Sequence, residues 1–179
     1  RTDIGVHVIP EPNPEGGESE IDADSVATIG LSYPDRPRDA ESLLIDPSTG
    51  DLVVISKSVS GGPAVVWRAP ASPGDHVLSE AASVDLPGFR PDEAPLFTAA
   101  TAADVAPDGS RVAIRTYADV WLFDRTDDEP VWRALRRTPC RSETGNEAQG
   151  ESLAFSSDSE SYLTLSEGVA PRLHEVDLN

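Results

Sequence analysis

The sequence repeats itself with a long period, and this repeat constrains the fold more than any other feature. Residues 41–56 align without a gap with residues 151–166, which places the segment ESLLI over the segment ESLAF. A third copy begins near position 101, with Thr101 where the other two copies have Glu. Such a repeat indicates that one structural unit is used several times along the chain.

Each copy has the sequence pattern of antiparallel strands joined by tight turns. A short apolar run is followed by a turn rich in Asp, Pro, Gly and Ser, as at 46–51 and 107–110, and then by a second apolar run. These turn residues favour β-hairpins. A third strand is predicted in every copy, at 64–68, 119–123 and 172–176.

A fourth strand completes the predicted unit. Residues 81–86 are predicted to form it in the first copy, whereas residues 130–137 fit either a short helical turn or an outer strand in the second. Four antiparallel strands in a repeat of this length are typical of one blade of a β-propeller. The sequence therefore predicts an all-β protein, a β-propeller of four-stranded antiparallel blades.

The number of blades predicts a partial propeller. Two full blades and two partial ones are expected, three to four in all, and residues 1–179 are treated as one domain or fragment. Because propellers usually need at least four blades to close, a piece of a longer propeller is favoured over closure by joining the first and last segments, and the remaining blades are expected outside this sequence. The predicted units are 1–40 with two outer strands only, 41–100, 101–150 and the partial blade 151–179.

Charge excludes one class of partner. The formal net charge is -18 and the isoelectric point is near 4.3, whereas nucleic acid binding needs clustered Lys and Arg. Lys57 is the only lysine, so nearly all of the positive charge is carried by Arg. This bias is attributed to genome composition or to a halophilic or extracellular habitat. The acidity also favours cations such as Ca²⁺, which prefers carboxylate oxygens.

Other residue types carry weaker signals. Cys140 is the single cysteine, so it has no intramolecular disulfide partner, and it is expected to be a small half-buried residue. Trp67 and Trp121 recur on third strands and are expected to pack between blades, while Trp132 is a candidate for stacking on a sugar. No apolar run approaches the roughly 20 residues that span a bilayer. A chain that opens with Arg1 is expected to lack an N-terminal segment of the native protein.

Three stretches of the sequence carry a resemblance to a known family. They are DAESLLIDP at 39–47, ADVAPDG at 103–109 together with RTY at 115–117, and QGESLAF at 149–155. These stretches resemble successive blades of secreted actinobacterial β-propeller proteins that are described as WD40-like or PD40-like. The resemblance implies an extracellular or cell-envelope location and no established activity. A more distant likeness is to the esterase-like phytase propellers, which share a Glu at the start of their inner strands.

The inner strands predict where a functional site would lie. The innermost strand of each blade lines the central channel, so residues at its start gather near one mouth of that channel. Glu41 and Glu151 occupy equivalent positions in two blades, and Asp104 lies near the equivalent position in the third blade. One interpretation is a metal site for Ca²⁺ or a pair of acid and base groups. The other is that each Glu accepts backbone N–H groups of a neighbouring blade and so holds the two blades together.

Two functions remain open from the sequence. The preferred hypothesis is an extracellular propeller that serves as a binding or scaffold domain for a protein or glycan ligand. The alternative is a Ca²⁺-dependent hydrolase of esters or phosphoesters that uses Glu41 and Glu151. His7, His76 and His174 show no metal-ligand spacing, and no nucleophile motif is present. Cofactor use is therefore limited to the possible Ca²⁺.

Overall fold

The computed structural model of the chain describes residues 3–13, 15, 20–58, 62–86, 99–126, 128–145 and 147–178. Within these ranges the regular structure is almost entirely β-strand, with one short α-helix and a 3₁₀ turn. The elements in chain order are β1 Asp3–Val8, the 3₁₀ turn Ala23–Ser25, β2 Ala27–Ser32, β3 Ala40–Ile45, β4 Asp51–Ser56, β5 Ala64–Pro70, β6 Gly74–Val77, β7 Ser79–Val84, β8 Ala100–Val105, β9 Arg111–Thr116, β10 Val120–Asp124, α1 Val131–Ala134, β11 Cys140–Ser142, β12 Gly150–Phe155, β13 Ser161–Ser166 and β14 Leu173–Asp177.

The strands form four sheets of three or four strands each, and this confirms the predicted all-β, partial propeller architecture. Sheet I has the order β1-β2-β6, and sheet II has the order β3-β4-β5-β7. Sheet III has the order β8-β9-β10-β11, and sheet IV has the order β12-β13-β14. Neighbouring strands are antiparallel, except that β2 and β6 are parallel.

Local sequence patterns predicted most of the strands. The hairpins are β3–β4, β8–β9 and β12–β13, and the third strands are β5, β10 and β14. The predicted fourth strand at 81–86 is β7. Residues 130–137 contain the short helix α1, and the outer strand of sheet III is β11 instead. Cys140 begins β11 and is exposed, so the expectation that it is half-buried was wrong.

One pairing joins two of the predicted units. β6 lies between β5 and β7 in the chain, yet it pairs with β2 of sheet I and not with its neighbours in sheet II. Sheet I therefore borrows its outermost strand from the unit that supplies sheet II. This exchange ties the first two sheets together through backbone hydrogen bonds.

Apolar cores lie between successive sheets. Side chains of a strand point alternately to its two faces, and residues Leu52 to Ser56 of β4 are all buried because sheet II has a neighbour on each side. In β4, Val53 and Ile55 belong to the core between sheets II and III, whereas Leu52 and Val54 belong to the core between sheets I and II. Trp67 is 1% exposed between sheets I and II, and Trp121 is 5% exposed between sheets II and III. Both tryptophans therefore pack between blades as expected.

Carboxylates fasten adjacent sheets by accepting backbone N–H groups. Asp46, which directly follows β3, is fully buried and accepts the N–H of Val131 in α1 at 2.7 Å. Asp104, in β8, accepts the N–H of Phe155 in β12 at 2.8 Å. Each bond joins one sheet to the next and satisfies a backbone donor that has no place in a strand ladder.

A buried ion pair joins sheets III and IV. Arg115 of β9 and Glu147 lie 2.9 Å apart, with 0% and 2% of their side chains exposed. The guanidinium group also donates to the backbone carbonyl of Ser152, and Glu147 accepts the hydroxyl of Thr164 at 2.6 Å. Gly150 lies so close to the guanidinium that a Cβ atom there would overlap it. The residue at 150 must therefore be glycine for Arg115 to reach its partner.

The first and last sheets each contain three strands among the described residues. Large apolar side chains are exposed on β3 of sheet II, with Leu43 and Ile45 at 46% and 50%, and on β14 of sheet IV, with Leu173 at 63%. No helix in the described ranges has the length and apolar character needed to cross a membrane.

Candidate functional site

A β-bulge recurs at the same place in three sheets and selects one residue from each. In the inner strands β3, β8 and β12, the pairing with the next strand shifts by one residue at the start of the strand. The residue left without a partner across the ladder is Glu41, Thr101 or Glu151, respectively. A bulge bends the strand and re-aims the side chain of its extra residue. The three equivalent positions therefore project their side chains at the same end of successive blades.

A second set of residues meets this end of the blades from the neighbouring strand. Lys57 follows β4 directly and lies 16 residues after Glu41. Tyr117 follows β9 directly and stands at the same offset from Thr101. Because the strands of a hairpin are antiparallel, the start of the inner strand and the end of its partner lie side by side. The repeat therefore brings both pairs to the same end of their sheets.

Four of these side chains form one chain of hydrogen bonds across three blades. The ammonium group of Lys57 donates to both carboxylate oxygens of Glu41 at 2.8 Å and to the hydroxyl of Tyr117 at 2.8 Å. The Tyr117 hydroxyl in turn donates to Oε1 of Glu151 at 3.0 Å. Sheets II, III and IV each contribute at least one member. We call this group the channel cluster: Glu41, Lys57, Tyr117 and Glu151.

Two members of the cluster, Lys57 and Tyr117, have raised pKa values that favour their protonated forms. Only 7% of the Lys57 side chain is exposed, against 34% for Glu41. Burial alone would lower the pKa of Lys57, but hydrogen bonds to Glu41 and Tyr117 outweigh it and raise the pKa above the ordinary value of 10.5. The bond from Lys57 lowers the pKa of Tyr117, but burial and the bond to Glu151 outweigh it, so that this pKa is raised as well.

The cluster borders a cavity of about 400 Å³, a size within the usual range for small-molecule sites. Glu41 and Glu151 line it together with Thr101, whose hydroxyl donates to the backbone carbonyl of Gly150 at 2.8 Å. The rest of the wall is partly apolar. The other lining residues are Ile4, Ala40, Ser42, Leu43 and Val54.

The structure brings together two of the three predicted site residues. Glu41 and Glu151 share the cavity and the hydrogen-bond chain, whereas Asp104 is not among the residues that line the cavity. Its two oxygens accept the N–H groups of Val105 and Phe155. Glu41 and Glu151, for which such backbone bonds were the second interpretation, accept from the side chains of Lys57 and Tyr117 instead. Within the described ranges no three Asp, Glu, His or Cys side chains converge as a metal site would require. Binding of Ca²⁺ at these residues stays a prediction.

The cation beside Glu41 was missed at the sequence level. Carboxylates that gather in one place need a positive group among them, and here that group is the ammonium of Lys57. The sequence analysis had attributed the single lysine to composition or habitat and had given it no role in the site. The signal was present in the repeat, since Lys57 and Tyr117 stand at the same offset from two equivalent positions. What the sequence could not show is that the side chain of Lys57 crosses from one sheet to the next.

The chemistry of the cluster favours recognition over proton transfer at neutral pH. A catalytic amine must lose its proton to act as a nucleophile, and a catalytic tyrosine base must ionise. The raised pKa of Lys57 and that of Tyr117 oppose both steps. The ordered donors and acceptors instead suit a fixed binding surface.

Replacing Lys57 tests the cluster. We expect Lys57→Met to lower the free energy of unfolding by roughly 1–2 kcal/mol at neutral pH, between the values for exposed and for buried ion pairs. Because the pKa of Lys57 is raised by folding, the stabilisation is fully present below pH 10.5 and is lost as the pH rises through the folded-state pKa. Urea denaturation of both proteins should therefore show a difference that narrows above pH 10.5.

The matched control is Arg111→Met, which removes the cation of a surface pair whose partner Asp124 is 89% exposed. This variant should differ little from the native protein in its free energy of unfolding. The difference should not narrow at high pH, because a guanidinium group stays protonated there. A Lys57→Met protein as stable as the native one at neutral pH would contradict the proposed role of Lys57.

Comparisons with known proteins identify the fold and no family. No protein-family model matches the sequence, and no curated protein matches it either. Among solved structures, the chain is similar to hydrazine synthase from Kuenenia stuttgartiensis, with a TM-score of 0.50 and 12% identity over 88% of this chain and 42% of that one. It is also similar to a 6-phosphogluconolactonase-like protein from Bacteroides uniformis, with a TM-score of 0.50 and 14% identity over 89% of this chain and 44% of that one.

Both neighbours have propeller-type folds, in agreement with the four sheets described above. At identities this low, the likeness shows the fold alone. The chain spans less than half of the length of either solved structure.

Proposed function

We propose that this chain belongs to a binding or scaffold propeller that acts outside the cell and holds a ligand beside the channel cluster. The observation that carries the proposal is the cavity beside a preformed hydrogen-bond chain, to which three successive blades contribute. Preformed cavities with a few well-placed polar groups are the usual form of a ligand site. A site assembled from repeat-equivalent positions is also rigid, since each member is held by its own sheet.

Hydrolysis is the weaker alternative because the carboxylates are already engaged. Glu41 accepts both of its bonds from Lys57, so the ammonium group occupies the place next to this carboxylate that a metal ion would need. Ca²⁺ takes six to eight oxygen ligands, and four of the lining residues are apolar: Ile4, Ala40, Leu43 and Val54. Both features argue for binding of an organic ligand.

The extracellular location and the nature of the parent protein are parts of the same proposal. The resemblance to secreted propellers supports the location, and a single exposed cysteine is compatible with it. The incomplete sheets at both ends support further blades, contributed by the same protein, around the channel. A protein or glycan partner would then meet the exposed loops of the blades.

Titration with Ca²⁺ tests this function against the hydrolase. We expect no tight binding by calorimetry and no Ca²⁺-dependent turnover of p-nitrophenyl acetate or p-nitrophenyl phosphate, because Lys57 neutralises Glu41. The comparison protein is the double variant Glu41→Gln/Glu151→Gln, which should behave like the native protein in these assays. Tight Ca²⁺ binding and turnover that both disappear in the double variant would overturn the proposed function and establish the hydrolase.

A further inference from the structure

We propose that the surface around Trp132 binds an acidic glycan, a chain of sugar units that carry carboxylate groups. We call this surface the arginine face: Trp132, Arg133 and Arg136. Asp46 ties the start of α1 to the turn that follows β3, whereas Glu41 stands at the start of that strand. The arginine face and the channel cluster therefore lie at opposite ends of the blades, and this inference goes beyond the proposed function.

Positive charge is concentrated at this surface of an otherwise acidic protein. The sequence has 32 acidic and 14 basic residues. Residues 130–142, which include α1, contain four arginines and no acidic residue. A local excess of one charge attracts ligands of the opposite charge to that place. This part of the surface therefore fits an anionic partner.

Two of the four arginines have no carboxylate partner. Arg137 and Arg141 are each paired with an acidic side chain. Arg133 and Arg136 are exposed, and neither forms an ion pair in the part of the chain that the structure describes. Acidic residues outnumber basic ones in this protein, so their absence around two neighbouring arginines leaves an uncompensated positive charge on the surface.

The hydrogen-bond donors of the arginine face are open. A guanidinium group has five N–H donors, and Arg136 uses one of them on the backbone carbonyl of Ala81 at 2.9 Å. Arg133 donates to none of the described residues, and neither does the indole N–H of the half-buried Trp132. A ligand that carries carboxylate and hydroxyl oxygens therefore finds donors that nothing else in the described ranges occupies.

The arginine face is held in place by two sheets. The Ala81 carbonyl belongs to the extra residue of a bulge in β7, the outer strand of sheet II, and it fixes Arg136. The guanidinium groups of Arg133 and Arg136 lie 5.4 Å and 5.3 Å from the centre of the Trp132 ring, within the range of a cation–π interaction. Side chains that are already in position lose less freedom when a ligand binds.

The aromatic ring beside the two charges favours a glycan over an acidic peptide. An indole ring offers a flat apolar surface with an N–H group at its edge, and the C–H face of a sugar packs on such a surface. Arginine binds carboxylates with two parallel hydrogen bonds. One uronate unit carries a ring face, a carboxylate and hydroxyl groups together, whereas an Asp or Glu side chain offers the carboxylate without the ring.

Calorimetric titration with three matched ligands, in buffer without Ca²⁺, tests both requirements. Trigalacturonate has three sugar rings and three carboxylates, its trimethyl ester has the same rings without the charge, and N-acetyl-triglutamate amide has three carboxylates without the rings. We expect trigalacturonate to bind, and the other two to bind more weakly by about tenfold or more. Arg133→Gln and Arg136→Gln should each weaken the binding of trigalacturonate by about tenfold, because each removes a charged donor. Trp132→Leu should weaken it as well, because leucine has no flat ring.

The matched control is Arg172→Gln. Arg172 is also exposed and without an ion pair among the described residues, but it directly precedes β14 of sheet IV. This variant should bind trigalacturonate like the native protein, and so should Glu41→Gln/Glu151→Gln. Equal weakening by Arg172→Gln, equal binding of the ester or of the peptide, or no binding of trigalacturonate would overturn the inference. Each of these results would leave the function proposed for the channel cavity standing.

Discussion

Gly150→Ala is expected to destabilise the protein by about 3–5 kcal/mol, the usual cost of breaking a buried ion pair. A Cβ atom at position 150 would overlap the guanidinium group of Arg115, far inside the 3.0 Å below which a neighbour must shift. Arg115 has no room to move, because its side chain is fully buried and paired with Glu147 at 2.9 Å. The variant therefore separates two buried charges. Urea denaturation of the native and variant proteins measures the loss.

Gly5→Ala is the matched control for this change. Gly5 lies in β1, has no positive φ, and a Cβ atom there would meet nothing within 4 Å. Its substitution should leave stability unchanged or raise it slightly, because alanine has less freedom than glycine in the unfolded chain. If Gly150→Ala were as mild as Gly5→Ala, the close packing of Arg115 against Gly150 would be wrong.

A double-mutant cycle identifies the cause of the loss. In a protein that already carries Arg115→Ala, the guanidinium group is absent and Gly150→Ala has nothing to displace. The second substitution should then cost far less than it does alone, which gives a coupling energy between the two positions. Independent effects of the two substitutions would assign the cost to the backbone of β12 and not to Arg115.

Trp67→Ala is expected to cost about 3–5 kcal/mol, the usual range for removing a buried tryptophan from a core. Trp67 is 1% exposed in the core between sheets I and II. Its ring lies edge-on to that of Tyr33 at 5.2 Å, and the guanidinium group of Arg38 lies 4.6 Å from its centroid. The substitution therefore removes the largest side chain of that core together with two specific contacts. The shift in the urea midpoint measures the loss.

Trp132→Ala is the comparison within the same chain. Trp132 follows the start of α1 and is half-buried, with Arg133 and Arg136 near its ring. It should cost much less than Trp67→Ala, because less of its surface leaves water on folding. The stability loss of Trp67→Phe should lie between those of Trp67→Ala and Trp132→Ala. Phenylalanine keeps an aromatic ring in the core, and the indole N–H of Trp67 has no hydrogen-bond partner to lose among the described residues. Equal losses for the two alanine variants would contradict the assignment of Trp67 to the core.

The strands of each blade could be predicted from sequence because their signals are local. Apolar runs on both sides of the turn at 46–51 predict the hairpin β3–β4, and the same pattern predicts β8–β9 and β12–β13. Hairpin turns depend on a few adjacent residues. The segment 130–137 was ambiguous for the same reason, since its short apolar pattern fits a helix or a strand until its packing against other elements is known.

The candidate site could be predicted only in part. The repeat placed Glu41 and Glu151 at equivalent positions, and the structure shows both at one cavity. Asp104 was grouped with them because it lies near the start of the third copy, but Thr101 is the true equivalent and Asp104 stands three residues further along β8. An advance of three residues along a strand moves a side chain about 10 Å. Thr101 therefore bonds to Gly150 at the start of β12, whereas Asp104 bonds to Phe155 at its end. Asp104 therefore fastens two sheets together and does not join the cluster.

The sequence by itself determined the architecture, because the repeat of the unit along the chain and the apolar alternation within each copy can both be read from the order of the residues. Only the tertiary structure decided which residues meet. β6 pairs with β2 and not with its own sheet, and Lys57 reaches Tyr117 across 60 positions of the chain. Such contacts depend on how adjacent sheets stack and on the bulges that turn Glu41 and Glu151 toward the channel. Local preference carries no information about either, because both arise from the packing of one blade against the next.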